Sequence, residues 1–240
     1  MKSKLPLVLG IFVVGTAFAA EPTVDEIVAK LTQALGGTEK IKSVYSLRST
    51  SRLQVQGLEG EASVVSTMKV PQMVYTEITR GESTFIECFD GEKKWSRLKS
   101  GGPIKQATDE EAKNYSQDTW VMVDGPLVGY KEKGNIVEYL GPEEVQGKAT
   151  YKMHVTMKSG NTTDIFVDKA TNLPFKQISR AEKTGSETVY FMLNYKTFDG
   201  FTLPTNLLIK AGGGPPVRLI FDKIEFNFPL EAAFFKMPQS

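Results

Sequence analysis

The sequence predicts an α+β protein, a strongly curved antiparallel sheet of about eleven strands with a few helices covering its concave face. Three observations carry that expectation. Apolar residues recur with period two through most of the chain, as Tyr151, Met153, Val155 and Met157 do against Lys152, His154, Thr156 and Lys158. Short turn signals such as Ser159-Gly160-Asn161 and Asp199-Gly200 separate the alternating runs, so successive strands pair as a meander. Helical periodicity is confined to two places, each opened by a capping sequence. A twisted sheet of this size tends to curl, and helices over its concave side leave an apolar cavity wherever they do not fill the space.

The first stretch reads as a targeting segment. Lys2 and Lys4 precede an apolar run, Leu5–Thr16, that is short for a membrane span, and Ala17-Phe18-Ala19 ends it with small residues. This predicts a cleaved secretory signal over 1–19, cut after Ala19. No cysteine follows the run, so the mature chain is expected to be exported and soluble, without a lipid anchor. Residues 20–240 are expected to form a single domain, since no Pro/Ser-rich linker or charge block divides them.

Thr23 through Glu26 is a capping box, and Val24, Ile27, Val28, Leu31 and Leu35 follow at helical spacing to Gly36-Gly37. Thr38–Val44 reads as one further helical turn. Tyr45–Val55, Glu61–Val70, Met73–Thr79, Ser83–Phe89 and Lys93–Leu98 read as strands, with a hairpin signal at Asp90-Gly91 and a stop at Pro71. Thr108 through Glu111 is a second capping box, opening helical pieces over Thr108–Lys133 around a break at Gly125-Pro126. Strands resume at Asn135–Leu140 and continue through Tyr151–Lys210, with a polar corner at Asp168–Pro174. After the loop Ala211–Pro216, Val217–Phe228 is the last strand, and the tail from Glu231 to Pro238 is too apolar to lie free.

The composition excludes several functions. With 29 basic and 28 acidic residues the charge is balanced, which argues against nucleic acid or an anionic membrane surface as partner. Cys88 is the only cysteine, lies in an apolar strand and is expected to be buried and inert. His154 is the only histidine, on the polar face of its strand, so the usual zinc ligand sets cannot be assembled; a Ser-His-Asp triad would need this same histidine, and no Gly-x-Ser-x-Gly elbow precedes it. The acidic pairs Glu110-Glu111 and Glu143-Glu144 point apart as adjacent residues, and Gly212-Gly213-Gly214 opens no helix that would hold a phosphate. No cofactor or metal is expected.

The order of motifs resembles the LolA/LolB-like superfamily. The resemblance is carried by Lys69-Val70-Pro71 with Tyr75, by Asp90-Gly91 with Trp95, and by Asp124-Gly125-Pro126-Leu127. The Asp168–Pro174 corner, Phe198-Asp199-Gly200, Leu203-Pro204 and the tail from Glu231 complete it. It implies an unclosed β-barrel with helices as a lid, enclosing a site for lipid or lipoprotein acyl chains. Membrane-bound donor or acceptor proteins would be the partners of such a carrier, which is expected to be a monomer. The family pattern has an arginine before the first proline that helps latch the lid through hydrogen bonds; here that lid-latch position is Val70.

Met68, Met73, Tyr75, Phe85, Trp95, Trp120, Met122, Phe166 and Phe191 fall in strands or in the lid-like segment. They serve either as plain core or as lining for a cavity that accepts floppy chains, since methionine and aromatics repack at low cost. The expected function is a soluble periplasmic binding protein that carries or senses a hydrophobic ligand. The alternatives are an envelope regulatory or interaction protein on the same fold, and an exported hydrolase.

Overall fold

The computed structural model of the protein describes residues 21–118 and 123–238. The expected signal segment therefore lies outside the described residues.

Helix α1 (Val24–Leu35) starts where the sequence marks it. Glu26 N–H donates to Thr23 Oγ1 at 3.2 Å, and the Glu26 carboxylate accepts the Thr23 N–H at 2.8 Å. Gly36 ends it at φ 135°, and a Cβ there would meet Gly200 O at 2.8 Å, so only glycine allows the helix end to approach that turn. Helix α2 (Thr38–Lys42) follows.

Strands β1 (Ser46–Val55), β2 (Ala62–Lys69), β3 (Met73–Arg80), β4 (Ser83–Phe89), β5 (Lys94–Leu98) and β6 (Lys105–Gln106) form a first meander. Helix α3 (Asp109–Asp118), opened by the Thr108–Glu111 capping box, and helix α4 (Tyr130–Lys133) interrupt it. A second meander follows, of β7 (Ile136–Val145), β8 (Lys148–Thr156), β9 (Thr162–Asp168), β10 (Pro174–Arg180), β11 (Glu187–Phe198), β12 (Phe201–Ala211) and β13 (Val217–Phe226). Pairing of β1 with β13 joins the two into one antiparallel sheet, ordered β6-β5-β4-β3-β2-β1-β13-β12-β11-β10-β9-β8-β7. Strands β6 and β7 are its edges and do not pair, so the barrel is unclosed.

The described sheet has 13 strands rather than about eleven. Strand β6 is two residues long, too short to show a period. Gly141-Pro142, which reads as an end in the sequence, is an irregularity within β7, where the register shifts between Tyr139 and Pro142 and the strand runs on to Val145.

The two faces of the sheet are both covered, by different things. On the concave face, Leu47, Met153, Val155, Ile165, Val167, Leu203 and Phe221 pack with Ile27, Leu31 and Leu35 of α1, Ile41 of α2, and Val123, Leu127 and Val128. On the convex face of β3–β5, Ile86, Cys88 and Trp95 lie under a 3-10 turn, Ala232–Phe235, whose Phe235 is fully buried. On the convex face of the second meander, Val145, Phe166, Phe175 and Phe191 form a third cluster. Its rings are roofed by lysines: Lys152 Nζ is 5.4 Å and Lys176 Nζ 4.9 Å from the Phe166 centroid.

Candidate functional site

Where α1 meets the concave face of β9–β12 the packing is incomplete. A cavity of about 250 Å³ remains there. Leu31 and Leu35 of α1 and the segment 123–127 form its roof, and Ile165, Met192, Leu203 and Leu207 form its floor. The period-two alternation of β9, β11 and β12 turns these residues inward together. Gly125-Pro126 lines the roof, so a backbone break, rather than a helical turn, spans this space.

The polar groups at the cavity are bonded except one: Asp124 Oδ1 is buried without a hydrogen-bond partner among the described residues. Tyr195 Oη donates to Pro174 O at 2.6 Å, and burial pushes its phenol up. Gln177 Nε2 donates to Ser179 Oγ at 2.9 Å. At the rim, Lys133 Nζ bonds Asp124 Oδ2 at 2.9 Å and Gly125 O at 2.5 Å. Burial drives the Asp124 carboxyl up and the Lys133 ammonium down, each against the pull of its partner. Such a site can solvate hydrocarbon.

A second crevice, of about 450 Å³, lies on the other side of the 123–133 segment, against α1 and α2. Val70, Ile41, Val44, Val123, Asp124 and Lys133 line it. Val70 thus sits at the end of β2 facing the segment that roofs the cavity.

The structure disperses the residues singled out in the sequence. Met68 packs into the concave core. Met73, Tyr75 and Trp95 lie on the convex face instead, under Leu230, Phe235 and Met237, and so line no part of the cavity. Phe85 is on the concave face of the first meander, 39% exposed. Phe166 and Phe191 are in the convex, lysine-roofed cluster. Trp120 and Met122 lie outside the described residues. The cavity is built from Leu207, Met192, Tyr190 and Leu31, which reasoning from residue type passed over. Strand alternation separates two faces but does not say which is concave, and aromatic content favoured the convex one.

His154 and Cys88 have structural partners. His154 Nδ1 is 2.6 Å from Asp164 Oδ1, and Arg180 Nη1 donates to Asp164 Oδ2 at 2.9 Å, on the convex face. Cys88 Sγ and Trp95 Nε1 both donate to Phe235 O, at 3.2 and 3.3 Å, and burial pushes the thiol up to about 12. Among the described residues no cluster of His, Cys, Asp and Glu could hold a metal ion, and no helix is long and apolar enough to cross a membrane.

No protein-family model matches this chain, and no curated protein matches it. Solved structures do. A DUF1329 family protein from Desulfovibrio piger superposes with a TM-score of 0.59 at 14% identity, over 89% of this chain and 97% of that one. A domain named for outer membrane lipoprotein sorting, from Vibrio parahaemolyticus, gives 0.58 at 12% identity, over 89% and 97%. A LolA superfamily protein from Nitrosomonas europaea gives 0.58 at 12%, over 90% and 99%. The chain has the LolA-like fold.

Proposed function

We propose that this protein is an exported, periplasmic carrier or sensor of a hydrophobic ligand, and that it holds a lipid or lipoprotein acyl chain in the cavity between α1, the 123–127 segment and the concave sheet. The observation that carries this reading is the cavity's lining, in which aliphatic side chains converge and Gln177 and Tyr195 are already bonded within the protein, leaving only Asp124 Oδ1 at the rim unpartnered among the described residues. A volume of 250 Å³ is just below the usual range of roughly 300–1,000 Å³ for ligand sites, which favours a single chain over a bulky ring system. Each methylene buried contributes about 0.8 kcal/mol, so affinity rises with chain length until the space is full. The charged, apolar, small-residue order of 1–19 supports export, and the fold shared with a lipoprotein-sorting domain agrees with the ligand class.

Native mass spectrometry of protein purified without detergent, followed by titration with fatty acids of graded length, tests the reading. Copurified lipid and an affinity that climbs and then levels are expected. Met192→Trp fills part of the cavity floor and should lower the chain length at which affinity levels, with the thermal midpoint nearly kept. Absent binding, or affinity flat with chain length, would make these residues simply core.

A further inference from the structure

The concave face of the first meander carries a polar row that runs across six strands between two apolar rows. Cross-strand register aligns Ser49, Ser66, Thr76, Glu87, Ser96 and Lys105 on strands β1 through β6. An apolar row lies on either side: Leu47, Met68, Val74 and Phe89 toward the core, and Val64, Ile78, Phe85 and Leu98 toward the open end. A row of hydroxyls between two apolar rows is costly in a packed interior and useful against a polar ligand. Ser66 and Thr76 share a 3.1 Å hydrogen bond and are half-buried, whereas Ser49, at the inner end of the row, is sealed.

The row ends in an open crevice of about 590 Å³ between β4–β6 and α3. Glu87, Lys94, Ser96, Lys105 and Tyr115 line it. Lys94 Nζ is 3.2 Å from Glu87 Oε2 and 4.7 Å from the Tyr115 centroid, and Tyr115 stacks edge-on against Phe89 at 5.2 Å. The charges alternate in sign. A carboxylate, 41% exposed, stands beside one ammonium, and a second ammonium stands across Ser96 on the edge strand. Glu111, also at the crevice, is held by the Thr108 N–H and hydroxyl. A head of one charge sign would meet its like charge here, whereas a head carrying both signs can pair with each.

We propose that this crevice and its hydroxyl row bind the zwitterionic head of an amphiphile, ammonium toward Glu87 and phosphate toward Lys94 and Lys105, with the tail running along the concave face to the apolar cavity. Leu207 on the cavity floor and Glu87 are five strand spacings apart, β12 to β4 through β13, β1, β2 and β3. At about 4.8 Å per spacing that is roughly 24 Å along the sheet, the reach of a long acyl chain. The inference rests on the acyl reading of the cavity, and the experiment separates the two.

Four probes with the same acyl or alkyl chain are titrated: the free fatty acid, lysophosphatidylethanolamine, lysophosphatidylglycerol and an alkyl glucoside. The zwitterion is expected to bind about tenfold more tightly than the others, the size of one charge-assisted hydrogen bond. Glu87→Gln should erase that preference by weakening the zwitterion, while fatty-acid affinity is kept or raised because the like charge is gone. Thr76→Val, which keeps side-chain shape and removes a hydroxyl, should reduce it a few-fold and serves alone if Glu87→Gln does not fold. Equal affinity for all four heads, or a preference for the anionic head or the sugar, overturns the headgroup site while the acyl site stands. Failure of every chain to bind overturns the carrier reading itself and this site with it.

Discussion

The Asp168 carboxylate accepts from the Ala170 N–H at 2.8 Å and from Lys148 Nζ at 2.7 Å, while its own N–H donates to Leu173 O at 2.9 Å. Asn172 closes the corner at φ 57°, a conformation that asparagine tolerates. Burial resists ionisation of Asp168, but the Lys148 ammonium and the N–H donors outweigh it and hold the carboxyl below its usual range. Because the folded value lies below the unfolded one of about 3.9, the stabilisation is complete above that pH and is lost as pH falls through the folded value. Asp164 and Asp90 are depressed as well and share the sign. Asp168→Asn should therefore cost about 1–3 kcal/mol at neutral pH and flatten the loss of stability below about pH 4. Urea titrations across that range read it, and equal acid slopes in both proteins would assign the corner to backbone geometry alone. Val70 poses a different question on the same scale. It faces Asp124 and Lys133 across the second crevice, and an arginine there would bring five donors to the rim of the roofing segment. Val70→Arg is predicted to slow exchange of a fluorescent fatty acid; unchanged exchange would separate this position from any latch.

Among the elements, the C-terminal segment shows how a sheet face is finished by a strap. The convex side of β3–β5 would expose Trp95, Cys88 and Ile86 without it. Phe235 fills that cluster, its carbonyl accepts from both Trp95 and Cys88, and Lys69 Nζ donates to Leu230 O. Lys236 adds a 3.3 Å ion pair with Asp90, the residue that shapes the β4–β5 turn by accepting from the Glu92 and Lys93 N–H groups. Phe235→Ala is expected to cost about 3 kcal/mol, at the lower end for removing a buried ring. Trp95 emission should shift red, and Cys88, expected to stay silent toward a thiol reagent at pH 8 in the parent, should react. A silent thiol and unchanged emission would mean that the sheet alone shields these groups. The sequence shows that this tail is too apolar to dangle, and both capping boxes and the Gly36 helix end are legible in it, because caps are local chemistry. The destination of the tail is not legible. Docking on the convex face depends on curvature, a property of the whole sheet, and that is why Met73, Tyr75 and Trp95 read as cavity lining from their types.

For the whole molecule, curvature settles what alternation leaves open. Apart from β6 and the second half of β7, the strands are legible because period two survives in them, and the two-meander sheet follows from turns too short for crossovers. The cavity is legible only as a consequence, a broken roof at Gly125-Pro126 over a curled sheet, without its residues. The unclosed barrel also leaves two free edges. Strand β6 is protected by its length of two residues, but β7 has ten and exposes Ile136 at 64% and Leu140 at 55%. An edge of that length and apolarity is a template for pairing with another chain. Three features oppose this: Pro142 supplies no N–H, the register shift between Tyr139 and Pro142 bends the strand, and Glu138, Glu143 and Glu144 place like charges along it. Pro142→Thr restores a donor and favours a regular strand while keeping β propensity. It is predicted to give concentration-dependent dimers by sedimentation velocity at concentrations where the parent is expected to stay a monomer, and adding Glu143→Val should deepen the effect by removing a charge. Should both variants remain monomeric at the same concentrations, the bend and the remaining glutamates suffice to guard the edge, and the proline's missing donor has no part in it.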